Sequence, residues 1–467
     1  VSPSARPAAA AIGILPVPAG VHSVLARLWN GGFAAYVVGG GVRDALLGRR
    51  ASDWDVATSA LPEQVATLFP AGRYENRFGT VTVPSDTFEV EVTTFRRDHQ
   101  YADHRRPDQV TFTDSLEEDL ARRDFTVNAI AWGRAGAPSD DAQTARWVDP
   151  TNGISDLDAG LIRAVGEPAK RFDEDGLRLL RAARFAGQLG FEIEPLTLAA
   201  MTETARTVGW VSAERVGGEF RRMVATNRPS RAFTVLAQTG VLEHALPELA
   251  AEGGVPQAKI EGHDLLDHSL TSLDAAAQLD PANERLRIAA LLHDVGKPGT
   301  YADGHFVGHD VEGAKIARQL LARLAFRRRD IEPIAELILQ HMFNYESRWS
   351  AAAVRRFVRR VGRDLIGDLL LLRAADNIGS GLPANAGRLD ELRQRIETEL
   401  SSNPPLSLRD LAVTGDDLIE ALAIKPGPLV GRLLERLLRL VIADPAQNRR
   451  EVLLAHAQQW LAREAHR

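Results

Sequence analysis

Two carboxylates one residue apart, Asp53 and Asp55, follow the glycine-rich stretch Val38-Gly39-Gly40-Gly41-Val42-Arg43-Asp44. On an extended strand, residues i and i+2 point to the same face, so the two carboxylates are expected side by side. Like charges that close oppose one another unless a cation lies between them. A hard divalent ion with oxygen ligands, Mg²⁺ first among them, suits such a pair. Gly39 and Gly40 free backbone N–H groups to approach an anion, Arg43 can fork onto a phosphate, and the metal can bridge the same phosphate. Together these residues describe a seat for a nucleoside triphosphate. An Asp-x-Asp or a glycine turn alone is commonplace, so the conjunction carries the reading.

Two further groups have chemistry in their spacing. Asp175, Arg178, Arg181 and Arg184 step by three and are expected as a stripe on one helix spanning residues 173–185, with Leu179, Ala182, Phe185 and Leu189 turned toward a core. Ion pairs at this spacing stabilise helices by only about 0.2–0.5 kcal/mol, and neighbouring arginines repel, so the stripe is read as facing phosphates or bases. Cytosine and adenine both present an amino donor beside a ring-nitrogen acceptor. A carboxylate with a guanidinium, Asp175 with Arg178, complements that edge and mismatches uracil and guanine. Leaving such groups unpaired costs roughly 1–3 kcal/mol each. The other group is histidine-rich: His268, His293-Asp294-Val295-Gly296-Lys297, His309-Asp310, His341 and Asp376. Imidazoles and carboxylates are common ligands of divalent metals. A single such histidine is ordinarily part of a core, whereas an adjacent His-Asp flanked by others is harder to assign to packing.

The elements that would position these residues follow from periodicity. A helix is expected over residues 21–29, a strand over 34–38, a short helix over 43–47 ended by Gly48, a strand over 52–57, a helix over 62–69 begun by Pro62, and strands over 80–83 and 88–95. On the last of these Glu89, Glu91 and Thr93 share a face, adding a third carboxylate. Residues 96–110 are polar and turn-rich, as in a mobile surface loop. Residues 122–131 (Arg-Arg-Asp-Phe-Thr-Val-Asn-Ala-Ile-Ala) are expected to be helical, with Arg123, Asp124 and Asn128 on one side. Asp149-Pro150-Thr151-Asn152-Gly153 is a turn, after which strands are expected to stop and helices to run to the end.

Gly-Gly-Gly-Val-Arg-Asp-Ala-Leu-Leu-Gly followed by Asp-Trp-Asp resembles the opening motif of the class II tRNA nucleotidyltransferases and bacterial poly(A) polymerases, within the polymerase β superfamily. The resemblance covers nearly all of residues 20–467, with five head and neck motifs in order. It implies an α+β protein: a polymerase-β-type nucleotidyltransferase head, a small mixed sheet with helices, followed by all-α neck, HD and tail domains. The implied boundaries are a leader to residue 20, the head at 21–150, the neck at 151–255, the HD domain at 256–385 and the tail at 386–467. It implies catalysis by Asp53, Asp55 and Glu91, and triphosphate contact by Arg123, with Asp124 and Asn128 at the ribose. Glu174-Asp175-x-x-Arg178 is similar to the motif that selects bases, and residues 212–220 match a fifth motif that supports the neck. Residues 96–110, with Tyr101, Asp103, Arg105, Arg106 and Pro107, are similar to a flexible loop associated with switching from C to A, although Asp98 stands where many relatives have glutamate. The histidine group resembles the HD phosphohydrolases, with His268, His293, Asp294 and Asp376 as ligands of a divalent metal of unassigned identity, and His309 and His341 completing a two-metal form. The implied partners are tRNA, CTP and ATP, and the implied reaction is addition of C, C and A to tRNA. Poly(A) synthesis, or HD-type hydrolysis of RNA ends or nucleotides, are the alternatives.

Composition is compatible with this. The chain has 467 residues, 45% of them hydrophobic and 25% charged, which suits several folded domains. No apolar run approaches a membrane span, and a cytoplasmic location is expected. Cysteine is absent, which excludes disulfides, thiolate nucleophiles and cysteine metal sites. A net charge of −6 does not announce a nucleic-acid binder, but arginines cluster at 323–329 and 355–363. A solvated helix face is the ordinary explanation of each cluster, and phosphate contact becomes the better one only where the core already handles RNA. In the tail, Thr414-Gly415-Asp416-Asp417 and Lys425-Pro426-Gly427-Pro428 read as helix starts.

Overall fold

A computed structural model describes residues 14–51, 53–74, 79–85, 88–99, 109–136, 144–257, 259–302 and 305–465. It divides into two compact units, Val1–Ala250 and Ala251–Arg467. No helix among the described residues is long and apolar enough to cross a membrane.

The first unit is built on a mixed sheet. Its strands are β1 (Ala35–Val38), β2 (Trp54–Thr58), β3 (Arg73–Tyr74), β4 (Thr80–Pro84) and β5 (Glu89–Thr94); β6 (Arg96–His99) and β7 (Gln109–Phe112) form a separate ribbon, and β8 (Ala131–Arg134) and β9 (Arg146–Val148) return to the sheet. The seven strands lie in the order β3-β4-β5-β2-β1-β8-β9. Only β2 and β5 pair in parallel; the other neighbours are antiparallel. The Ala-Tyr-Val-Val of β1 is buried throughout, as expected of a strand covered on both faces. Gly133 lets β8 approach β1, since a Cβ there would lie 2.2 Å from the Ala35 carbonyl oxygen. Tyr36, Phe95, Leu116, Leu120 and Val165 pack together beneath the sheet.

Several expectations need correcting. The first helix, Ala19–Asn30, begins two residues before the expected start at residue 21, and Leu15 ahead of it is buried. Gly40 and Gly41 are not a turn but the first residues of helix Gly40–Leu46, with Gly39 alone at positive φ. The polar stretch 96–110 is not all loop, because its ends pair as β6 and β7; Tyr101, Asp103, Arg105, Arg106 and Pro107 lie outside the described residues. The 122–131 helix is replaced by a single 3₁₀ turn, Thr126–Asn128. Here Asp124 Oδ1 accepts from the Phe125 N–H, a local bond that competes with helix formation, and Phe125 bridges to Ala164. Strands do not cease after residue 150 either: Leu161–Ile162 pairs with Glu192–Ile193, and Tyr301–Ala302 with His305–Phe306. Two-residue strands are too short to leave an alternating signature.

Helices complete each unit. Asp149 accepts from the Gly153 and Ile154 amides at 2.7 and 2.9 Å, starting helix Gly153–Ala159. Pro168–Glu174, Leu177–Leu189 and Ala213–Val224 follow in the first unit. In the second, Leu265–Leu279, Glu284–Leu292, His309–Arg323, Arg328–Gln340 and Ile366–Gly379 form a bundle. Helix Leu265–Leu279 is started by an Asp264–Asp267 capping box. Ala351–Val361 and Leu389–Ser401 come next, then the tail helices Gly415–Leu422, Pro428–Ala443 and Arg450–Ala465. Thr414 and Asp417 cap the first tail helix reciprocally.

Candidate functional site

The end of β1, the helix it feeds, β2 and the 3₁₀ turn converge on a cleft of about 360 Å³. Gly39 takes φ +76°, and a Cβ on it would stand 3.1 Å from Asp55 Oδ2 and 3.3 Å from Arg123 Nη1. The missing side chain thus leaves a carboxylate and a guanidinium facing one another over open space. Gly41 has a different role: a Cβ there would press on the Asp53 carbonyl at 2.8 Å, so it permits close contact between helix and strand.

Asp53 precedes β2 and Asp55 lies within it; both line the cleft. Burial raises the Asp55 carboxyl above its usual value, Arg123 opposes this, and Asp53 raises it further. An oxygen-only pair whose charges oppose each other fits a hard divalent cation. Glu91 sits opposite Asp55 in the parallel β2–β5 register and shares a neighbouring cavity with Asp55, Arg96, Arg122 and Arg123.

On the opposite wall runs a relay of polar groups. Arg43 Nη1 donates to Asn128 Oδ1 at 2.7 Å, Asn128 Nδ2 to Asp124 Oδ1 at 3.1 Å, and Arg181 Nε to Asp124 Oδ2 at 2.7 Å. Arg43 also pairs with Asp44 at 2.8 Å. Burial would raise the Asp124 carboxyl, but Arg181, Asn128 and the Phe125 amide hold it at about 2. Three guanidiniums surround the Phe185 ring, those of Arg184, Arg43 and Arg181 at 4.1, 5.0 and 5.4 Å. Phe185 therefore lines the cleft rather than serving only as core.

The expected uninterrupted stripe does not form. Helix Pro168–Glu174 ends before Asp175, which is extended at φ −151°, and the next helix starts at Leu177. Gly176 fixes the break: a Cβ there would lie 2.4 Å from the Thr207 carbonyl oxygen. Nor are the arginines a repelling row, because each has its own carboxylate: Arg178 with Glu174, Arg181 with Asp124, Arg184 with Glu219. Arg181 and Arg184 line the cleft, whereas Asp175 and Arg178 are not among its lining residues. Asp175 is held by Arg215 through contacts of 2.7 and 3.1 Å.

Sequence reasoning missed four participants. Asp119, fully buried, holds Arg122 at 2.7 Å and Arg123 at 3.2 Å; its i+3 and i+4 spacing to them was the available signal. Glu219 orients Arg184, while Gln188 and Arg222 line the cleft; these meet only through helix packing.

The second unit gathers every histidine singled out. His268 Nε2 and His293 Nε2 each lie 3.3 Å from Asp294 Oδ2, while His309 Nε2 and His341 Nε2 lie 3.5 and 3.6 Å from Asp294 Oδ1. One carboxylate therefore serves two histidine pairs. Asp376 Oδ1 is 3.3 Å from His268 Nε2 and 3.7 Å from His293 Nε2. Nδ1 of His293, His309 and His341 contacts the carbonyls of Ala290, Phe306 and Ile338 at 2.9, 2.7 and 2.6 Å. A carbonyl only accepts, so each Nδ1 carries the proton and Nε2 is aimed inward, the usual arrangement of metal-binding histidines. Burial disfavours a charged His293, yet Asp294 and Asp376 hold it up at about 10, so this point demands positive charge. Two groups, His268–His293–Asp294 and Asp294–His309–His341, are compact enough to hold a metal. The arginines at 355–363 divide: Arg355 is buried on the Ile442 and Ala443 carbonyls and Glu399, Arg359 pairs with Glu435, and Arg363 bonds Asn403 and the Pro404 carbonyl.

Residues 35–163 match the poly A polymerase head domain family, residues 190–252 the probable RNA and SrmB- binding site of polymerase A, and residues 265–380 the HD domain. A mixed-sheet head carrying this acidic, arginine-faced cleft defines a nucleotidyltransferase. The CCA-adding enzyme of Limosilactobacillus fermentum is 33% identical over 94% of this chain and 96% of its own length. That of Leuconostoc mesenteroides is 30% identical over 94% and 95%. The crystal structure of the Bacillus stearothermophilus CCA-adding enzyme in complex with CTP is 29% identical, covers 96% of this chain and 98% of its own, and gives a TM-score of 0.69. The chain belongs to the CCA-adding enzyme family.

Proposed function

We propose that this chain adds C, C and A in succession to the 3′ end of cytoplasmic tRNA, drawing on CTP and ATP. The observation that carries this reading is the cleft lined by Asp53, Asp55, Arg43, Arg123 and Arg181, in which Asp55 and Arg123 flank the space left by Gly39. Asp53 and Asp55 would hold Mg²⁺, which when bound neutralises charge developing on the reacting phosphate. The chain's own residues do the rest. Arg123, steadied by Asp119, and Arg43, steadied by Asn128 and Asp44, supply fixed positive charge for the triphosphate. Asp124 and Asn128 offer an acceptor and a donor to the ribose. Glu91 stands beside Asp55 to take the proton of the attacking 3′-hydroxyl. Arg181 and Arg184 close the far wall, and Asp175 with Arg178 reads the Watson–Crick edge, with Arg215 sharing Asp175 as the base arrives. The head occupies residues 21–150, the neck 151–255, the HD domain 256–385 and the tail 386–467.

The test is incubation with tRNA lacking CCA and each labelled nucleotide in turn. Incorporation of two C and one A is expected, and long A tails without C would overturn the reading in favour of poly(A) synthesis.

A second activity is proposed for the histidine centre, because Asp294 is shared by two histidine pairs whose Nε2 atoms all face it. The donor set fits two divalent cations, and the reaction class is hydrolysis of phosphate esters at RNA ends or in nucleotides. His293→Ala and Asp294→Ala proteins are expected to lose this hydrolysis and keep CCA addition. Retention of every hydrolytic activity would remove the proposal.

A further inference from the structure

The second unit contains an open cleft of about 460 Å³ that neither proposed reaction uses. Its size falls within the roughly 300–1,000 Å³ of small-ligand sites. Phe343, Trp349 and Phe357 form its aromatic wall, with Phe343 and Phe357 5.0 Å apart and Trp349 edge-on to Phe357 at 5.5 Å. Met342, 57% exposed, and Trp349, half-buried, give the wall an accessible apolar surface. Arg356 and Arg360 stand over it from helix Ala351–Val361, and Arg360 lies 5.4 Å from the Phe357 ring.

The five arginines of the segment 355–363 are used in two different ways. Arg355, Arg359 and Arg363 are each tied to carboxylates, an amide or carbonyls of the helices that follow. Arg356 and Arg360, both exposed, make no ion pair or hydrogen bond with any described residue, and both line the aromatic cleft. They are four residues apart, so they project from one face with roughly 5–6 Å between Cβ atoms. Two guanidiniums free of ion pairs beside the partly exposed Trp349 ring, which the buried Phe343 and Phe357 rings back, are what a nucleobase with its phosphates requires: the base stacks on Trp349 and the phosphates take the charge. An acidic peptide would use the arginines but leave the aromatic wall without a purpose.

We propose that this cleft binds a single-stranded RNA segment, one base against the Met342–Trp349 surface and its flanking phosphates on Arg356 and Arg360. The cleft lies close to the histidine centre: His341 is two residues before Phe343, so their Cα atoms are at most about 7 Å apart. The binding itself does not depend on any hydrolysis there, nor on CCA addition.

The experiment is photo-cross-linking of the full chain with a short single-stranded RNA containing 4-thiouridine, titrated and mapped by mass spectrometry. Position-resolved yields separate this cleft from RNA held elsewhere on the chain. Cross-links within residues 342–360 are expected, with the concentration for half-maximal yield rising about tenfold in Trp349→Leu and at least that much in Arg356→Ala/Arg360→Ala. Arg328→Ala, which removes an exposed arginine away from the aromatic wall, should leave it unchanged. Raising salt should weaken yield at this segment less steeply in the double variant, by a slope of about 1.4 for two charges. Absence of cross-links in this segment, an unchanged isotherm in the double variant, or equal competition by duplex RNA or polyglutamate would each overturn the proposal. CCA addition measured in the same samples reports separately on the head.

Discussion

Asp124→Asn tests how the nucleotide cleft is held together. The substitution keeps the shape of the side chain and the acceptor for the Phe125 amide, but removes the charge that Arg181 meets at 2.5–2.7 Å. The native carboxyl lies at about 2 instead of 3.8, despite burial. That gap is worth about 2–3 kcal/mol in favour of the folded, ionised state. Because the folded value is the depressed one, the contribution is complete above the unfolded value and disappears as pH falls through about 2. It should be roughly halved at pH 3. For a cooperative unit of 150–250 residues each kcal/mol shifts Tm by roughly 2–4 °C, so Asp124→Asn should melt roughly 5–10 °C below the wild type between pH 6 and 8. Scanning calorimetry on both proteins across pH measures this. A cycle with Arg181→Met isolates the pair, and the double variant should lose much less than the sum of the singles. A shift under 2 °C at pH 7, a gap that persists unchanged at pH 3, or a coupling below about 0.5 kcal/mol would refute the reasoning.

The histidine centre and the tail yield further predictions. Gly296→Ala puts a Cβ 2.2 Å from the His309 carbonyl oxygen and 2.5 Å from the Gly313 amide. It should therefore destabilise by about 1–3 kcal/mol or more and lower metal affinity in calorimetric titration without changing nucleotide addition. Asp294→Asn removes the carboxylate common to both histidine pairs, so metal titration should show both binding events weakened beyond the roughly 10–100-fold that loss of an outer partner costs. Arg355→Met should cost about 3–5 kcal/mol, since it strands Glu399 and two helix-end carbonyls. Its neighbour Arg356→Ala should stay within about 0.5 kcal/mol of the wild type in denaturant melts.

What the sequence disclosed depended on the range of the interaction. Asp53 and Asp55 do line one cleft, but only Asp55 is on the strand from which their alternation was read. The clustering of the histidines was legible because adjacent His293 and Asp294 end an apolar helix, even with His268 and Asp376 far away in the chain. The stretch from Asp175 to Arg184 was only half legible. Helical spacing predicted one stripe, but the crowding of Gly176 against Thr207 breaks the helix at Asp175, and no local pattern announces a contact 31 residues distant. The carboxylates that claim each arginine were equally hidden: Arg181 finds Asp124 across 57 positions and Arg184 finds Glu219 across 35. Charge clustering misled at 355–363 for the same reason, since solvated, structural and ligand-ready arginines look alike until their partners are placed.

The spread of the cleft's lining along the chain, from Gly39 to Arg222, imposes an order on its birth. As the polypeptide emerges from the ribosome, Gly39, Asp53 and Asp55 are made first, and β1 can pair with β2 across the short helix Gly40–Leu46. Closure of β8 onto β1 waits for residue 134, and the Phe185 ring with its guanidiniums waits longer still. Contacts of such long sequence separation form slowly. A nascent chain thus has Arg43 and Arg123 to set against its acidic pair well before Arg181, Arg184 and Arg222 are made, and a truncation anywhere before Arg222 leaves the cleft without part of its basic lining.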